Sequence, residues 1–380
     1  MQIHSKLPNV GLTIFTIMSK MAQEYNAINL SQGFPDFPVA EELIEGIHHY
    51  MKKGMNQYAP MPGMPQLREQ IGNKLKGTYD WNVDVDAEIT VTSGAIEAIN
   101  ATITALVRAG DEVIIIDPAY DAYAPIIEMN GAITVAVPLK QPDFKIDWEK
   151  VAQKITAKTK MIVINSPHNP TGAVIDQDDL RQLTEITRGT DILVLSDEVY
   201  EHIIFDGKRH ESVLWSEELR ARSIVTNSFG KTFHATGWRI GYMIAPAELM
   251  NEIRKVHQYM TFCVHTPTQL AVADYLKDPQ NYESIAGMYQ EKRDLFLALT
   301  KDSKFEPMAC SGTYFQVMSY AKISDMPDTE MAEWLTKEHG LAAIPMSPFY
   351  QDKRDYKQLR FCFAKGEGTL RKAAEILCKI

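Results

Sequence analysis

The sequence predicts an α/β protein: a mostly parallel sheet flanked by helices, with a smaller α+β domain built from both termini. Three observations predict it. From about residue 88 to 245, short β-branched runs alternate with segments whose apolar residues recur at helical spacing. The runs Val113-Ile114-Ile115-Ile116, Met161-Ile162-Val163-Ile164 and Ile192-Leu193-Val194-Leu195 are apolar without interruption, as strands covered on both faces must be. Polar or proline-containing sequence follows each of them, and open α/β sheets hold their ligands at the carboxyl ends of their strands.

Composition narrows the function classes. At 380 residues the chain is long for one core, and 45% hydrophobic with 23% charged residues describes an ordinary globule. A formal net charge of -10, with no block of Lys and Arg, argues against a nucleic-acid partner. No run approaches the roughly 18 apolar residues of a membrane span. Met1 to Lys6 leads into mixed sequence in place of an apolar signal core, so a cytoplasmic protein away from membranes is expected. Cys263, Cys310, Cys362 and Cys378 are scattered and form no C-x-x-C pair, which suggests neither a metal site nor a disulfide framework.

The elements follow in order. Leu12 to Met18 suits a short amphipathic helix or an arm packed on the body. Asn29 to Pro38, with Gly33, Phe34 and two prolines, reads as a rigid exposed turn. Gln57-Tyr58-Ala59-Pro60 is a second loop, and a helix begins near Gly63 to Glu69. Tyr58 there suits the edge of a domain, where an amphipathic ring packs well. Glu88 to Thr92 alternates as a strand, and Ser93-Gly94-Ala95 opens a helix to about Val107. A strand, a small-residue turn and a helix N-terminus with unpaired N–H groups make a place for an anion.

Further along, Pro118 and Tyr120 follow the first apolar run, Asn165 to Gly172 follows the second, and Ser196-Asp197-Glu198-Val199-Tyr200 follows the third. Asp197 is either a helix N-cap or a carboxylate with a chemical purpose. Ile224-Val225-Thr226 leads into Ser228-Phe229-Gly230-Lys231-Thr232 and then Thr236-Gly237-Trp238-Arg239-Ile240-Gly241. Lys231 is either a solvated charge or a desolvated amine of lowered pKa, able to form a Schiff base. Arg239 could supply the cation that lowers it, or bind a phosphate with its planar fork. Helical patterns span Pro246 to Gln258 and about Pro279 to Leu299, the second as one long helix bridging to the smaller domain. An interrupted strand is expected over Ser311 to Phe315. Leu359 to Ala364 alternates as a half-buried strand, with Arg360 at a polar position suited to bidentate capture of a carboxylate.

The signature S-x-x-K followed by T-G-W-R-x-G resembles the cofactor-lysine segment of the class I and II aminotransferases, the fold type I pyridoxal-phosphate family. Matching motifs run in the family's order along nearly the entire chain. The resemblance implies a seven-stranded sheet and three segments: 1–40 as N-terminal arm and part of the small domain, 41–278 as the large cofactor domain, and 279–380 as the C-terminal small domain. It implies pyridoxal phosphate held as a Schiff base on Lys231, with Lys231, Asp197 and Tyr200 as the catalytic group. The phosphate would meet Ser228, Arg239 and the turn Gly94-Ala95-Ile96, with Tyr58 reaching in from the neighbouring subunit of a homodimer. Tyr120 would stack on the pyridine ring, Asp197 would keep its nitrogen protonated, and Asn169 and Tyr200 would bind its phenolic oxygen. Arg360 and the Gly33 N–H would hold the substrate carboxylate, with Phe34, Asn169 and Tyr120 beside the substrate and Asn165 and His168 in support.

Gly230, the S-P-H-N-P-T-G loop and the E-I-R-K-V-H-Q-Y-M-T-F segment look closest to the methionine and kynurenine/glutamine aminotransferase subgroup. The implied reaction moves the amino group of methionine, phenylalanine, tyrosine, kynurenine or glutamine to a 2-oxo acid by ping-pong kinetics. Two alternatives remain: a cysteine-conjugate C–S β-lyase, which would use the same residues, and an aspartate-type aminotransferase, for whose side-chain carboxylate the sequence offers no obvious second Arg.

Overall fold

The computed structural model describes residues 4–380; Met1, Gln2 and Ile3, the start of the expected N-terminal arm, lie outside the described residues. In chain order the strands are β1 (Ile28–Asn29), β2 (Ile89–Thr92), β3 (Glu112–Asp117), β4 (Ile133–Pro138), β5 (Thr159–Asn165), β6 (Leu193–Asp197), β7 (Ser223–Ser228), β8 (Gly241–Ile244), β9 (Glu306–Pro307), β10 (Phe315–Ser319), β11 (Leu341–Ala342), β12 (Ile344–Pro345) and β13 (Gln358–Cys362). The helices that matter most for the site are α1 (Ile14–Glu24), α2 (Glu41–Lys52), α3 (Pro65–Tyr79), α4 (Ala95–Leu106) and α5 (Tyr123–Met129).

A seven-stranded sheet runs β2-β8-β7-β6-β5-β3-β4. The five strands from β7 to β4 are parallel, and β8 runs antiparallel to both β2 and β7. The sheet is therefore mostly parallel, as the uninterrupted apolar runs predict. Helices cover both faces, so Val113, Ile115, Met161, Val163 and Leu195 pack into one core layer and Ile114, Ile116, Ile162, Ile164 and Val194 into the other.

A second sheet, β12-β13-β10-β9, is antiparallel. The two-residue β1 pairs parallel with β11, joining the segment after α1 to the C-terminal part of the chain. Thr13 caps α1 by accepting the Thr16 N–H. The N-terminal helix thus begins at Ile14 and runs past the expected Met18.

Two expectations are corrected. The long helix drawn from Pro279 to Leu299 is two helices, Gln280–Glu283 and Ile285–Thr300. The Ser284 hydroxyl donates to the Gln280 carbonyl at 2.7 Å, and the next ladder bond, Met288 N–H to Ser284, stretches to 3.5 Å. A serine bonding back to its own helix loosens the turn in this way. The strand expected over Ser311 to Phe315 starts only at Phe315, because Thr313 takes a left-handed φ of 64°. No helix among the described residues is long and apolar enough to cross a membrane.

Candidate active site

Three neighbouring parallel strands deliver polar groups from their carboxyl ends. The register sets Asn165 of β5 beside Asp197 of β6, and Asp197 beside Thr226 of β7. Strand spacing of about 4.8 Å then brings residues far apart in sequence into one row. Asn165 laces the row together: its Nδ2 donates to the Asp197 carbonyl at 2.8 Å, and its Oδ1 accepts the Asn169 N–H at 2.8 Å. Lys231 follows β7 on the short helix Phe229–Thr232. Ala95, Ile96, Tyr120, Asn169, Asp197, Tyr200, Ser228, Lys231 and Arg239 together line a cavity of about 100 Å³.

At one end of that cavity lies the N-terminus of α4. Gly94 precedes it with φ 72°, a conformation that costs a residue with a Cβ. Space adds a second constraint, since a Cβ on Gly94 would stand 2.6 Å from Nη2 of Arg239. Gly241 of β8 packs as closely, its Cβ position lying 3.1 Å from Gly94 Cα. Two glycines therefore allow the guanidinium of Arg239 to sit over the first turn of α4. The buried Ser228 completes a set of hydroxyl, guanidinium and free helix N–H groups that suits a phosphate.

Asp197 lies at the opposite chemical pole and is only 4% exposed. Its burial pushes the carboxyl up to about 6, against hydrogen bonds from Tyr123 and the Val199 N–H and the attraction of Lys231. The Tyr123 hydroxyl donates to Asp197 Oδ2 at 2.5 Å. Lys231 Nζ stands 5.7 Å from the centre of the Tyr200 ring and 5.9 Å from that of Tyr314. Burial first, and then repulsion from Arg239, lower its ammonium to about 8. A tenth or so of the amine is then free near neutral pH, far more than on a solvated lysine.

Arg360 is wholly buried in β13. Its Nη1 donates to Asn169 Oδ1 at 2.7 Å and its Nη2 to the Ser31 carbonyl at 3.2 Å, while Nε has no partner. The guanidinium lies 3.8 Å from the centre of the Phe315 ring and 5.3 Å from those of Phe15 and Phe349. Burial lowers its pKa to about 10, which leaves it charged at neutral pH. A buried cation with an unused donor is poised for an anion.

The Gly33 turn is only partly exposed, contrary to the sequence reading. The Tyr314 hydroxyl donates to the Gly33 carbonyl at 2.7 Å, and a Cβ on Gly33 would lie 2.5 Å from the Phe315 ring. Packing against β10 thus holds Gly33 down, while the neighbouring Phe34 is 42% exposed. Tyr58 is not brought to the cavity within the chain. It is 84% exposed and meets Phe262 edge to face at 5.6 Å, in a region that also exposes Tyr259.

A larger cavity of about 540 Å³, lined in part by His168, shares Asn165 with this one. Its charged lining is largely spent on internal partners: Arg209 on Glu211, Lys208 on Ser311, Asp179 on Trp148. Burial keeps His168 neutral, pulled down to about 3, with Nδ1 against Thr171. The smaller cavity, where amine, carboxylate, phenol, amide and guanidinium converge, is therefore the candidate active site. Its donor set fits pyridoxal phosphate at every functional group: an anion cradle, a carboxylate for a ring nitrogen, an amide and a phenol for a phenolic oxygen, and an amine for an aldehyde.

Comparison with known proteins agrees. Residues 25–377 match the family described as "Aminotransferase class I and II". The chain belongs to the class I and II aminotransferases. Methionine aminotransferase of Escherichia coli K12 is 49% identical over 374 residues, covering 98% of this chain and 97% of the relative. Kynurenine–oxoglutarate transaminase of Dictyostelium discoideum is 34% identical, covering 97% and 94%. The solved structure of YbdL from Escherichia coli, reported with a methionine aminotransferase function, superposes with a TM-score of 0.98 at 48% identity over 100% of each chain.

Two residues at the site of this aminotransferase escape sequence reasoning. Tyr123 sits three residues after Tyr120, a helical spacing that would have placed it on the same side of the chain. Tyr314 reaches Lys231 only through the contact of the small sheet with the large one, for which the sequence offers no local signal.

Proposed function

We propose that this aminotransferase takes the amino group from methionine and related apolar or aromatic L-amino acids and passes it to a 2-oxo acid by a ping-pong mechanism. The observation that carries the reading is the convergence of Lys231, Asp197 and Arg239 on one cavity, with buried Arg360 linked to it through Asn169. The choice of donor rests on the methionine and kynurenine relatives.

Pyridoxal phosphate bound there supplies an electron-withdrawing ring and an aldehyde carbon that exchanges with amines. Lys231 Nζ would hold that group, and as a free amine it would take the substrate's α-proton and give it back, its pKa of about 8 being suited to the task. Asp197 holds its negative charge toward the ring nitrogen. Asn169 and Tyr200 fix the phenolic oxygen, and Tyr120 covers a ring face. Ser228, Arg239 and the N–H groups of Ala95 and Ile96 hold the phosphate. Arg360 grips the substrate carboxylate with the help of the Gly33 N–H, beside Phe34.

We further propose a cytoplasmic homodimer in which Tyr58 of one subunit completes the phosphate site of the other. Its exposure beside the likewise exposed ring of Phe262 supports this, because exposed apolar patches mark interfaces. The division into 1–40, 41–278 and 279–380 is part of the same proposal, supported by the pairing of β1 with β11 and by a large sheet lying wholly between Ile89 and Ile244.

The test is the absorption of the purified protein before and after methionine. A yellow band that bleaches, with release of the corresponding 2-oxo acid, is the expected result. Pyruvate and ammonia from a cysteine conjugate, without oxo-acid release from methionine, would replace this reading with the β-lyase. A faster reaction with aspartate than with methionine would replace it with the aspartate type.

A further inference from the structure

Asp197 is held unequally at its two oxygens. Oδ1 accepts a long 3.4 Å bond from the Val199 N–H, whereas Oδ2 accepts the 2.5 Å bond from Tyr123. Tyr123 opens α5 and is 3% exposed, and it stands outside the cavity lining that Tyr120 joins. The two rings meet edge to face at 5.6 Å. The phenol's pKa is pushed well above its usual value, chiefly by burial and then by the Asp197 charge, so it serves only as a donor.

We infer that Tyr123 is a positioning residue for the transamination: its hydroxyl fixes the Asp197 carboxylate and keeps it anionic toward the cavity, while its ring edge sets the plane of Tyr120. This rests on the reading of Asp197 as the partner of the cofactor's ring nitrogen.

The physical case lies in what opposes ionisation at Asp197. The titratable groups facing it are Tyr120 and Tyr123 from the segment opening α5, Lys231 after β7, and Glu198 and Tyr200 on its own segment. Burial and Glu198 favour the protonated acid; Lys231 and the Tyr123 hydroxyl favour the carboxylate. Lys231 is charged only while its amine carries a proton, and that proton comes and goes as the amine takes it up and gives it back, so its help is intermittent. The Tyr123 donor is constant through the cycle. Phenylalanine would fill the same volume and keep the ring edge against Tyr120, so the hydroxyl alone separates this role from packing.

The experiment compares four proteins, wild type, Tyr123→Phe, Asp197→Asn and the double variant, by titrating each apoprotein with pyridoxal phosphate and recording the absorbance of the bound form against pH. Removal of one hydrogen bond to a charged group is expected to weaken cofactor binding by about 10- to 100-fold and to move the acid limb of the absorbance titration up by about one unit. The value of kcat falls while KM for the amino acid holds. In the Asp197→Asn background the same Tyr123→Phe change is expected to do nothing further. Wild-type affinity and an unmoved acid limb in Tyr123→Phe would overturn the inference, as would an equal loss in both backgrounds. A wild-type chain that failed to bind pyridoxal phosphate would refute the cofactor reading, and this inference with it.

Discussion

Substitution of Gly94 by alanine probes the proposed phosphate end of the site at a single atom. The new Cβ would stand 2.6 Å from Nη2, 2.9 Å from Cζ and 3.2 Å from Nη1 of Arg239, so the guanidinium must leave its place over α4. Arg239 is exposed and its Nη1 donates to the Thr236 carbonyl, so the side chain yields by giving up that bond and swinging away from α4. Holding alanine at φ 72° costs roughly 1–2 kcal/mol of fold stability. Loss of a charge-assisted bond to the phosphate costs a further 1.5–3 kcal/mol, roughly, in binding. At about 1.4 kcal/mol per factor of ten, the cofactor should bind about 10- to 100-fold more weakly. Titration of the apoprotein with pyridoxal phosphate measures this, and a thermal melt of the apoprotein measures the stability term. A Gly94→Ala protein that bound the cofactor as tightly as wild type would show that Arg239 does not hold the phosphate from its present position.

Three other outcomes are expected. Arg360→Lys should lower kcat/KM by about 10- to 100-fold, equally for the amino acid and for its 2-oxo acid, because both carry the carboxylate that we propose the fork grips; single-turnover half-reactions measure the two separately. The rate at which apoprotein captures pyridoxal phosphate should rise with pH and level off above about 8, as Lys231 loses its proton. Removing the charge of Arg239 relieves a repulsion on that ammonium, so its pKa rises and the midpoint moves to higher pH. Finally, Lys231→Ala and Tyr58→Ala proteins, each weakly active alone, should regain activity when unfolded and refolded together. A mixed dimer then has one site with Lys231 from one subunit and Tyr58 from the other, and activity that stays at the level of the separate variants counts against a shared site.

The sheet was legible because burial on both faces removes polar residues from β3, β5 and β6, leaving runs that nothing but a covered strand explains. The polar residues that end two of those runs, Asn165 and Asp197, could be read for the same reason: they mark where the apolar cover stops. Gly33 was misjudged as exposed because its cover, Tyr314 and Phe315, lies some 280 residues away and imposes nothing on the local pattern. Tyr123 was passed over for a different reason. A tyrosine behind an apolar strand looks like core filling, and only the 2.5 Å bond to Asp197 distinguishes it. The split at Ser284 likewise turns on one hydroxyl choosing a backbone carbonyl, a choice that helical periodicity does not register.

The antiparallel strand β8 is the departure from a regular parallel sheet that the site requires. A parallel strand next to β7 would need a crossover of a dozen residues or more, and the chain would reach it far from the cavity. Instead the chain leaves Ser228 at the end of β7, makes the short turn that carries Lys231 and Arg239, and comes back as β8 with Gly241 beside Ser228 and Thr92. The return places Gly241 against Gly94, and Arg239, two residues earlier, over the first turn of α4. One tight reversal thus sets the amine, the hydroxyl and the guanidinium within a dozen residues of each other. The carboxylate and amide that face them come from the slower parallel crossovers, on Asp197 of β6 and Asn169 after β5. A site assembled this way has a locally folded half and a half that exists only once the whole sheet has formed. Core substitutions that leave Lys231 untouched, such as Ile162→Ala in β5, should therefore loosen Asn169 and Asp197 before they disturb the Arg239 end.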